Sequence, residues 1–158
     1  MTTTPPYTVT HRLHPRFRDT DAMGHINNAI YITYLEVARQ EYWRALAASP
    51  DYRRVPFILA HVTVDFRSEA LVGEALDLGI RCGWIGNKSF GFDYRIVSAG
   101  PIAPGAPVGG ESGRTIVEAT SVQVCYDYDA KRSLAVPADL RRRMEVFEGR
   151  TLDRESLP

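Results

Sequence analysis

The spacing of apolar residues changes once in the first third of the chain. Residues 7–17 alternate between apolar and polar, and this period of two predicts a half-buried strand. Its apolar side carries Tyr7, Val9, Leu13 and Phe17. Over residues 27–48 the apolar positions instead recur every three or four residues, which predicts one long amphipathic helix. The apolar stripe of that helix contains Tyr31, Tyr34, Leu35, Ala38, Tyr42, Ala45 and Leu46.

Both ends of this helix carry sequence signals. An asparagine at its start can accept a hydrogen bond from a free backbone N–H group of the first turn. Ser49-Pro50 is expected to end the helix, because a residue before proline disfavours helical geometry.

Alternation returns after the helix and continues along the rest of the chain. Residues 58–66, 76–84, 90–96 and 114–126 each predict a strand with one buried side. The apolar sides are Ile58, Ala60, Val62, Val64 and Phe66 in the first run and Leu76, Leu78, Ile80, Cys82 and Trp84 in the second. Gly86-Asn87-Lys88 predicts a hairpin turn before the third run, whose apolar positions are Phe90, Phe92, Tyr94 and Ile96.

The remaining segments complete a single-domain prediction. Residues 98–113 are rich in proline and glycine and predict an excursion between two strands, while 138–149 predict a short helix. Hairpin-connected strands must cover one apolar face, and the long helix is the element available to cover it. We therefore predict an α+β fold, an antiparallel sheet wrapped around one long central helix, in one domain over residues 1–158. Residues 1–6 and 150–158 are expected to be flexible ends.

The composition of the chain limits the kinds of partner that it is expected to bind. The 158 residues include 19 basic and 19 acidic side chains, so the formal net charge of zero gives no general attraction to nucleic acid or anionic lipid. No apolar run is long enough for a membrane helix, and the first residues lack the pattern of a signal peptide. Two cysteines without CxxC spacing indicate reduced thiols, and a cytoplasmic location is expected. No residue cluster has metal-ligand spacing, so neither a metal nor a cofactor is expected.

The junction before the long helix has the features of a reactive site. The segment reads RFRDTDAMGHINNAIY over residues 16–31. A helix N-terminus carries free N–H groups and a partial positive charge, which can stabilise a developing oxyanion. A carboxylate on the loop just before it, such as Asp21, would then lie beside a carbonyl group polarised by those N–H groups.

The same segment resembles a known family. RFRDTDAMGHINNAIYITYLEVAR is similar to the strand-to-helix motif of hotdog-fold acyl-CoA thioesterases of the 4-hydroxybenzoyl-CoA thioesterase type. The similarity continues through DFRSEALVGEALDL, IGNKSFGFDYRI and VPADLRRRM, and so covers nearly the whole chain. The resemblance implies the hotdog fold and hydrolysis of an acyl-CoA thioester, with coenzyme A as part of the substrate. Acyl carrier protein is an alternative acyl donor.

The resemblance also implies roles for individual residues. Asp21 would attack the thioester carbonyl or activate water, and the N–H of Asn28 would polarise the carbonyl oxygen. His25 would assist the reaction from its position in the loop. The expected substrate-binding residues are Gly24, Asn27, Tyr31 and Ser89, the last acting across a subunit interface. A homodimer with two sites at its interface is implied, and a homotetramer is a further option.

Structural explanations for these residues stay open at this point. Asp19 and Asp21 could terminate a strand, Asn27 and Asn28 could simply cap the helix, and His25 could satisfy loop backbone. Glu36 on the helix could be a second carboxylate or a residue of the polar face.

Two other functions also stay open. One is a hotdog hydratase or dehydratase, which would use an aspartate and a histidine five residues apart, whereas Asp21 and His25 are four apart. The other is a module that binds acyl thioesters without turnover.

Overall fold

The computed structural model describes residues 7–47 and 57–154, and the predicted element order holds throughout this part. The strands and helices are β1 (Val9–Leu13), α1 (Asn28–Ala47), β2 (Phe57–Phe66), β3 (Glu74–Ile85), β4 (Ser89–Pro101), β5 (Thr115–Asp127), β6 (Arg132–Ser133) and α2 (Ala138–Glu148). A single turn of 3-10 helix covers Phe17–Asp19. The expected helix stop at Ser49-Pro50 and the end at residues 1–6 lie outside the described residues.

One antiparallel sheet carries the fold. Its strand order is β1-β3-β4-β5-β2, and the short β6, which the sequence pattern missed, pairs with β5. Helix α1 lies across one face of the sheet and buries Tyr31, Tyr34, Leu35, Ala38 and Tyr42 there. A sheet wrapped around one long helix is the architecture that the pattern predicted, and the α+β hotdog fold class is confirmed.

The inner strands keep the predicted alternation. On β4 the four apolar positions Phe90, Phe92, Tyr94 and Ile96 are all buried against the helix. Leu76, Leu78, Ile80 and Cys82 of β3 are buried on the same face. These strands have a neighbouring strand on each side and a helix above them. Every second residue along them is therefore buried, as the pattern predicted.

The edge strand β2 departs from the prediction. Its register shifts between Leu59 and His61, and Ile58, Leu59 and Phe66 are 37%, 42% and 49% exposed. The expectation of one fully buried side is therefore wrong for this strand. A strand at the edge of the sheet has a neighbouring strand on one side only, so part of its apolar surface stays uncovered.

The first strand is shorter than its alternation suggested. It pairs with β3 only over Val9–Leu13, and Phe17, expected on the buried side, is 84% exposed. Pro15 lies two residues after Leu13, the last paired residue, and has no N–H group to donate to a sheet, so the strand cannot continue through it. The chain then turns toward α1.

A bulge near the end of β3 places one side chain on the face of the sheet opposite to the predicted one. The register shifts between Cys82 and Trp84, and Trp84 packs over Gly91 on the outer face and against the Arg154 guanidinium, 4.7 Å from the ring centre. The expectation that Trp84 continues the buried side is wrong, because an extra residue in a strand changes the side on which later residues lie.

The C-terminal segment satisfies the backbone groups of this bulge. Glu148 accepts hydrogen bonds from the Cys82 N–H and the Tyr42 hydroxyl, both at 2.7 Å. Arg150 donates to the Cys82 carbonyl at 2.6 Å, and Leu152 is fully buried. Residues 150–154 therefore pack against the sheet, and residues 155–158 of the expected flexible end lie outside the described residues. Neither helix of the described part has the length and apolar character needed to cross a membrane.

Replacing Glu148 tests this anchoring. Glu148→Ala leaves the buried Tyr42 hydroxyl and the Cys82 N–H without an acceptor, so we expect a loss of about 2–4 kcal/mol in the free energy of unfolding. Urea denaturation at neutral pH measures it. Val146→Ala on the same helix is the control, because Val146 is 77% exposed and its replacement should change stability by about 0.5 kcal/mol or less. Equal stability of the two variants would contradict the anchoring role.

Candidate active site

The loop between β1 and α1 is closed on itself by backbone hydrogen bonds. The N–H of Asp21 donates to the His25 carbonyl at 2.8 Å, and the N–H of Gly24 donates to the Asp21 carbonyl at 3.2 Å. Thr20 and Ile26 form a bridge across the base of the loop. Gly24 has a φ of 82°, which is left-handed backbone that favours glycine. The loop is thus a tight, defined turn.

Asp19 anchors this loop from below. Its buried carboxylate accepts hydrogen bonds from the Arg16 N–H at 2.9 Å, the Arg16 guanidinium at 3.1 Å and the Tyr34 hydroxyl at 2.8 Å. Burial by itself would raise the pKa of Asp19, but these hydrogen bonds outweigh it and lower the pKa below its ordinary value. All of this carboxylate's interactions are internal, so its geometry is that of a structural residue.

Asp21 has a different environment although it lies only two residues away. It is exposed, and its Oδ1 accepts hydrogen bonds from the N–H groups of Met23 at 2.8 Å and His25 at 3.2 Å. Its other carboxylate oxygen accepts none within the described part of the chain. One oxygen therefore fixes the side chain and the other is available to a ligand.

The first turn of α1 contains a backbone donor without a partner. The Asn27 side chain accepts a hydrogen bond from the Ala29 N–H at 3.0 Å, and the Asn27 carbonyl accepts one from the Ile30 N–H at 2.9 Å. The N–H of Asn28 has no acceptor among the described residues. Capping thus occupies the neighbouring groups and leaves this one free. The side chain of Asn27, expected to bind substrate, is engaged in the cap.

A cavity of about 330 Å³ brings several of the predicted residues together. Asp21, His25, Asn28 and Tyr31 all line it. The remaining walls come from Ile26 and from the end of β2 and the turn after it, namely Phe66, Arg67, Ser68 and Glu69. A residue with a free carboxylate oxygen and a residue with an unused helix N–H group therefore line one space, which is an arrangement that can polarise and attack a carbonyl group.

Glu69 is a charged site residue that sequence reasoning missed. Its Oε2 lies 3.1 Å from Nε2 of His25, and His25 also forms a backbone bridge with Leu71. The signal in the sequence was only a glutamate just after a predicted strand. The two side chains are 44 positions apart, and only the packing of the β2–β3 turn against the loop brings them into contact.

A buried ion pair supports the turn that carries Glu69. The carboxylate of Glu74 is fully buried and accepts hydrogen bonds from the Leu71 N–H, the Gly109 N–H and the Arg114 guanidinium at 3.0, 2.6 and 2.8 Å. Burial would raise the pKa of Glu74, but Arg114 and these other donors lower it instead. Arg114 also donates to the Glu69 carbonyl at 2.8 Å, so this network fixes the backbone of Glu69 directly.

Tyr31 forms the inner wall of the cavity. It is 2% exposed and contacts the rings of Tyr34 and Phe66 at centroid distances of 5.9 and 5.8 Å. Burial raises the pKa of its phenol, so this wall residue stays neutral. Its position fits both explanations that the sequence left open, since it packs in the core and faces the site.

Other predicted site residues lie elsewhere in the protomer. Ser89 shares its row of the sheet with Val124, and Val124 shares a row with Ile58. Ile96 of the same strand lies in the row of the sheet that borders the site. Ser89 is seven residues from Ile96 along β4, which is about 23 Å at roughly 3.3 Å per residue. The structure therefore does not bring Ser89 to the Asp21 site of its own chain. Glu36 lines a separate cavity, and Gly24 shapes the loop without lining the site.

The site also lacks the side chains of a metal centre. No group of three or more histidine, cysteine, aspartate or glutamate side chains within residues 7–47 and 57–154 could hold a metal ion.

Comparison with known proteins gives a consistent family assignment. Residues 15–144 match the profile of the Thioesterase-like superfamily. The long-chain acyl-CoA thioesterase FadM of Escherichia coli (strain K12) is 24% identical over 130 residues, which are 79% of this chain and 88% of that protein.

Solved structures agree with that assignment. A thioesterase from Thermus thermophilus, crystallised with coenzyme A and Zn, has a TM-score of 0.78 and 27% identity, covering 94% of this chain and all of that one. A 1,4-dihydroxy-2-naphthoyl-CoA thioesterase from Synechocystis has a TM-score of 0.70 at 19% identity, over 85% and 93% of the two chains, and this likeness concerns the fold.

The two aspartates of the loop should respond differently to replacement by asparagine. Asp19→Asn removes a buried charge that its donors stabilise, so we expect a loss of about 1–3 kcal/mol in unfolding free energy at neutral pH. Because the pKa of Asp19 is lowered in the folded state, this difference should persist above its ordinary pKa of 3.8 and shrink as the pH falls below that value.

Asp21→Asn is the matched comparison. The amide oxygen can still accept from Met23 and His25, so stability should change by about 0.5 kcal/mol or less. Denaturant titrations of both variants between acid and neutral pH measure the effect. A larger loss for Asp21→Asn than for Asp19→Asn would contradict the assignment of Asp19 as the structural carboxylate.

Proposed function

The chain belongs to the Thioesterase-like superfamily, and we propose that it hydrolyses the thioester bond of an acyl-coenzyme A to the free acid and coenzyme A. One observation carries the proposal: Asp21, which has a carboxylate oxygen without a hydrogen bond, and Asn28, which has a backbone N–H without an acceptor, line the same cavity. A thioester carbonyl there would meet a donor for its oxygen and a carboxylate for attack. The FadM relative and the Thermus thermophilus neighbour support this class of reaction.

The chemistry requires only water and these residues. In one route Asp21 takes a proton from water while the water oxygen bonds to the carbonyl carbon, and the N–H of Asn28 stabilises the oxyanion. The C–S bond then breaks and the proton passes to the departing thiolate. In the other route the Asp21 oxygen attacks directly, the thiolate leaves, and water hydrolyses the resulting anhydride. Neither route needs a metal or an organic cofactor.

We assign His25 and Glu69 as positioning residues for this reaction. The His25 N–H donates to Oδ1 of Asp21, and its imidazole is held by Glu69. Together these contacts fix the orientation of the Asp21 carboxylate and leave its second oxygen without a hydrogen bond. Preorganisation of this kind lowers the reorganisation needed in the transition state.

The proposed substrate is an acyl-CoA, with an acyl carrier protein as the alternative donor. FadM is named for long-chain acyl-CoA and the Synechocystis neighbour for a dihydroxynaphthoyl-CoA, so the relatives span aliphatic and aromatic acyl groups. A cytoplasmic location belongs to the proposal. The two cysteines, Cys82 and Cys125, are free and buried, as in a reducing compartment.

We propose that the protein acts as a homodimer joined along β2. This edge strand exposes Ile58, Leu59 and Phe66, and no strand in the described residues pairs with its outer side. Two-fold antiparallel pairing about the strand centre would continue the sheet into a second copy and cover these side chains. It would also set the Phe66 end of one protomer beside the Phe57 end of the other.

This pairing accounts for the predicted role of Ser89. Ser89 lies in the row of Ile58, near the start of β2, and the site lies near Phe66 at its end. In the proposed dimer the partner's Ser89 would therefore be carried toward the Asp21 site. A tetramer would require a second interface, and the exposed residues of β2 do not indicate one.

Replacement of Asp21 tests the reaction. Hydrolysis of a panel from acetyl-CoA to palmitoyl-CoA, with benzoyl-CoA and phenylacetyl-CoA, is measured by release of free thiol. For the best substrate, Asp21→Asn should reduce kcat by at least about a hundredfold, near 3 kcal/mol of transition-state stabilisation. Asp139→Asn, an exposed aspartate on α2, is the control and should keep wild-type activity. Hydrolysis of no member, or an equally fast Asp21→Asn, would contradict the proposal.

Sedimentation tests the dimer. The chain has a mass of 17.7 kDa, and we expect the wild type to sediment at twice this mass at micromolar concentration. Leu59→Lys places a charge on the exposed edge and should shift the protein to the monomer with reduced thioesterase activity. Val146→Lys is the control, since Val146 is also apolar and is 77% exposed but lies on α2. A monomeric wild type would overturn the β2 interface.

A further inference from the structure

The hydroxyl group of Tyr31 is a feature of the site that core packing does not explain. The ring of Tyr31 packs against Tyr34 and Phe66, and the residue is 2% exposed. A phenylalanine would make the same ring contacts. A buried tyrosine hydroxyl usually has a hydrogen-bond partner, yet within residues 7–47 and 57–154 the Tyr31 O–H donates to no acceptor. Its proton is therefore available to a ligand.

Tyr31 lies one turn after Asn28 on α1. Three helical residues span about 4.5 Å along the axis and return to within about 60° of the same direction. Side chains of a helix tilt toward its N-terminus, so the Tyr31 ring extends over the turn that begins with Asn28. Both residues line the cavity that Asp21 also lines. The phenol and the unpaired Asn28 N–H thus belong to the same end of the helix.

The surroundings of Tyr31 keep its hydroxyl protonated. Burial raises the pKa of the phenol, and the negative charges of Glu74 and Asp21 raise it further. Arg114 and a backbone hydrogen bond from Ala70 lower this pKa without reversing the shift. The effect of Asp21 also means that its carboxylate and the phenol lie within electrostatic reach of each other. A neutral phenol can donate a hydrogen bond but cannot serve as a base.

We propose that Tyr31 is a catalytic residue whose hydroxyl donates a second hydrogen bond to the oxyanion formed during thioester hydrolysis. The inference rests on the proposed function, because it adds a donor to the reaction assigned to Asp21 and Asn28. Donors that are oriented before the reaction stabilise the charge that develops on the carbonyl oxygen, and one such oxygen can accept from two donors. The phenol keeps its proton throughout, so the products are still the free acid and coenzyme A.

Removal of the hydroxyl alone tests the proposal. Tyr31→Phe keeps the ring, so its midpoint of urea denaturation should stay at the wild-type value. For the best acyl-CoA of the panel, kcat should fall about a hundredfold with little change in KM, because the hydrogen bond is made mainly in the transition state. Tyr126→Phe is the matched control, since Tyr126 lies on β5 and does not line the cavity. It should keep the wild-type kcat.

Two further measurements separate catalysis from packing. A CoA thioether has no carbonyl oxygen, so it should bind the wild type and Tyr31→Phe with equal affinity in calorimetric titrations. Tyr31→3-fluorotyrosine fills nearly the same space and carries a more acidic hydroxyl, which is a stronger donor. This variant should keep kcat at or above the wild-type value.

The outcomes distinguish this inference from the function on which it rests. Three results would overturn the role of Tyr31 while leaving thioester hydrolysis intact: wild-type kcat in Tyr31→Phe, thioether binding weakened as much as kcat, or a fluorotyrosine variant as slow as Tyr31→Phe. A wild type that cleaves no member of the panel would instead reject the proposed function itself.

Discussion

The buried carboxylate of Asp19 is the interaction on which the site geometry depends. It receives hydrogen bonds from Arg16 before the loop and from Tyr34 on α1, and its backbone carbonyl accepts one from the Asn27 N–H. The end of β1 and the start of α1 are thereby held to one residue. Asp21 is two residues beyond this anchor and the free N–H of Asn28 follows Asn27. The separation between carboxylate and N–H donor is therefore set by a group that is not exposed to a ligand.

A second buried carboxylate performs the same task on the opposite wall. Glu74 gathers donors from the β2–β3 turn, from the loop after β4 and from Arg114, which also binds the Glu69 carbonyl. A buried charge is tolerated only when its hydrogen bonds are made, so each carboxylate demands a fixed surrounding. The exposed pair of His25 and Glu69 is thus supported from both sides by residues that do not line the cavity.

The open edge of the sheet links assembly to binding. Strand β2 leaves Ile58, Leu59 and Phe66 exposed, and both cavities lie between this strand and α1. Because the sheet covers the helix on one side only, a groove remains between α1 and the edge strand β2. The proposed dimer uses this groove, so a partner at β2 would also cover the β2 side chains that line the cavities, Phe66 in one and Ile58 and Leu59 in the other.

The sequence by itself determined the elements whose residues have neighbours on every side. The period of β4 and of α1 could be read directly because side-chain direction follows from local backbone geometry. The motif that contains Asp21 and Asn28 was found instead through its resemblance to a known family. Tertiary structure decided the rest. Asp19 and Asp21 are chemically identical, and only packing buries one and exposes the other. The outward turn of Trp84 depends on a bulge in strand pairing, and the contact of His25 with Glu69 joins residues far apart in the chain. Such features depend on which segments become neighbours, which short-range pattern does not encode.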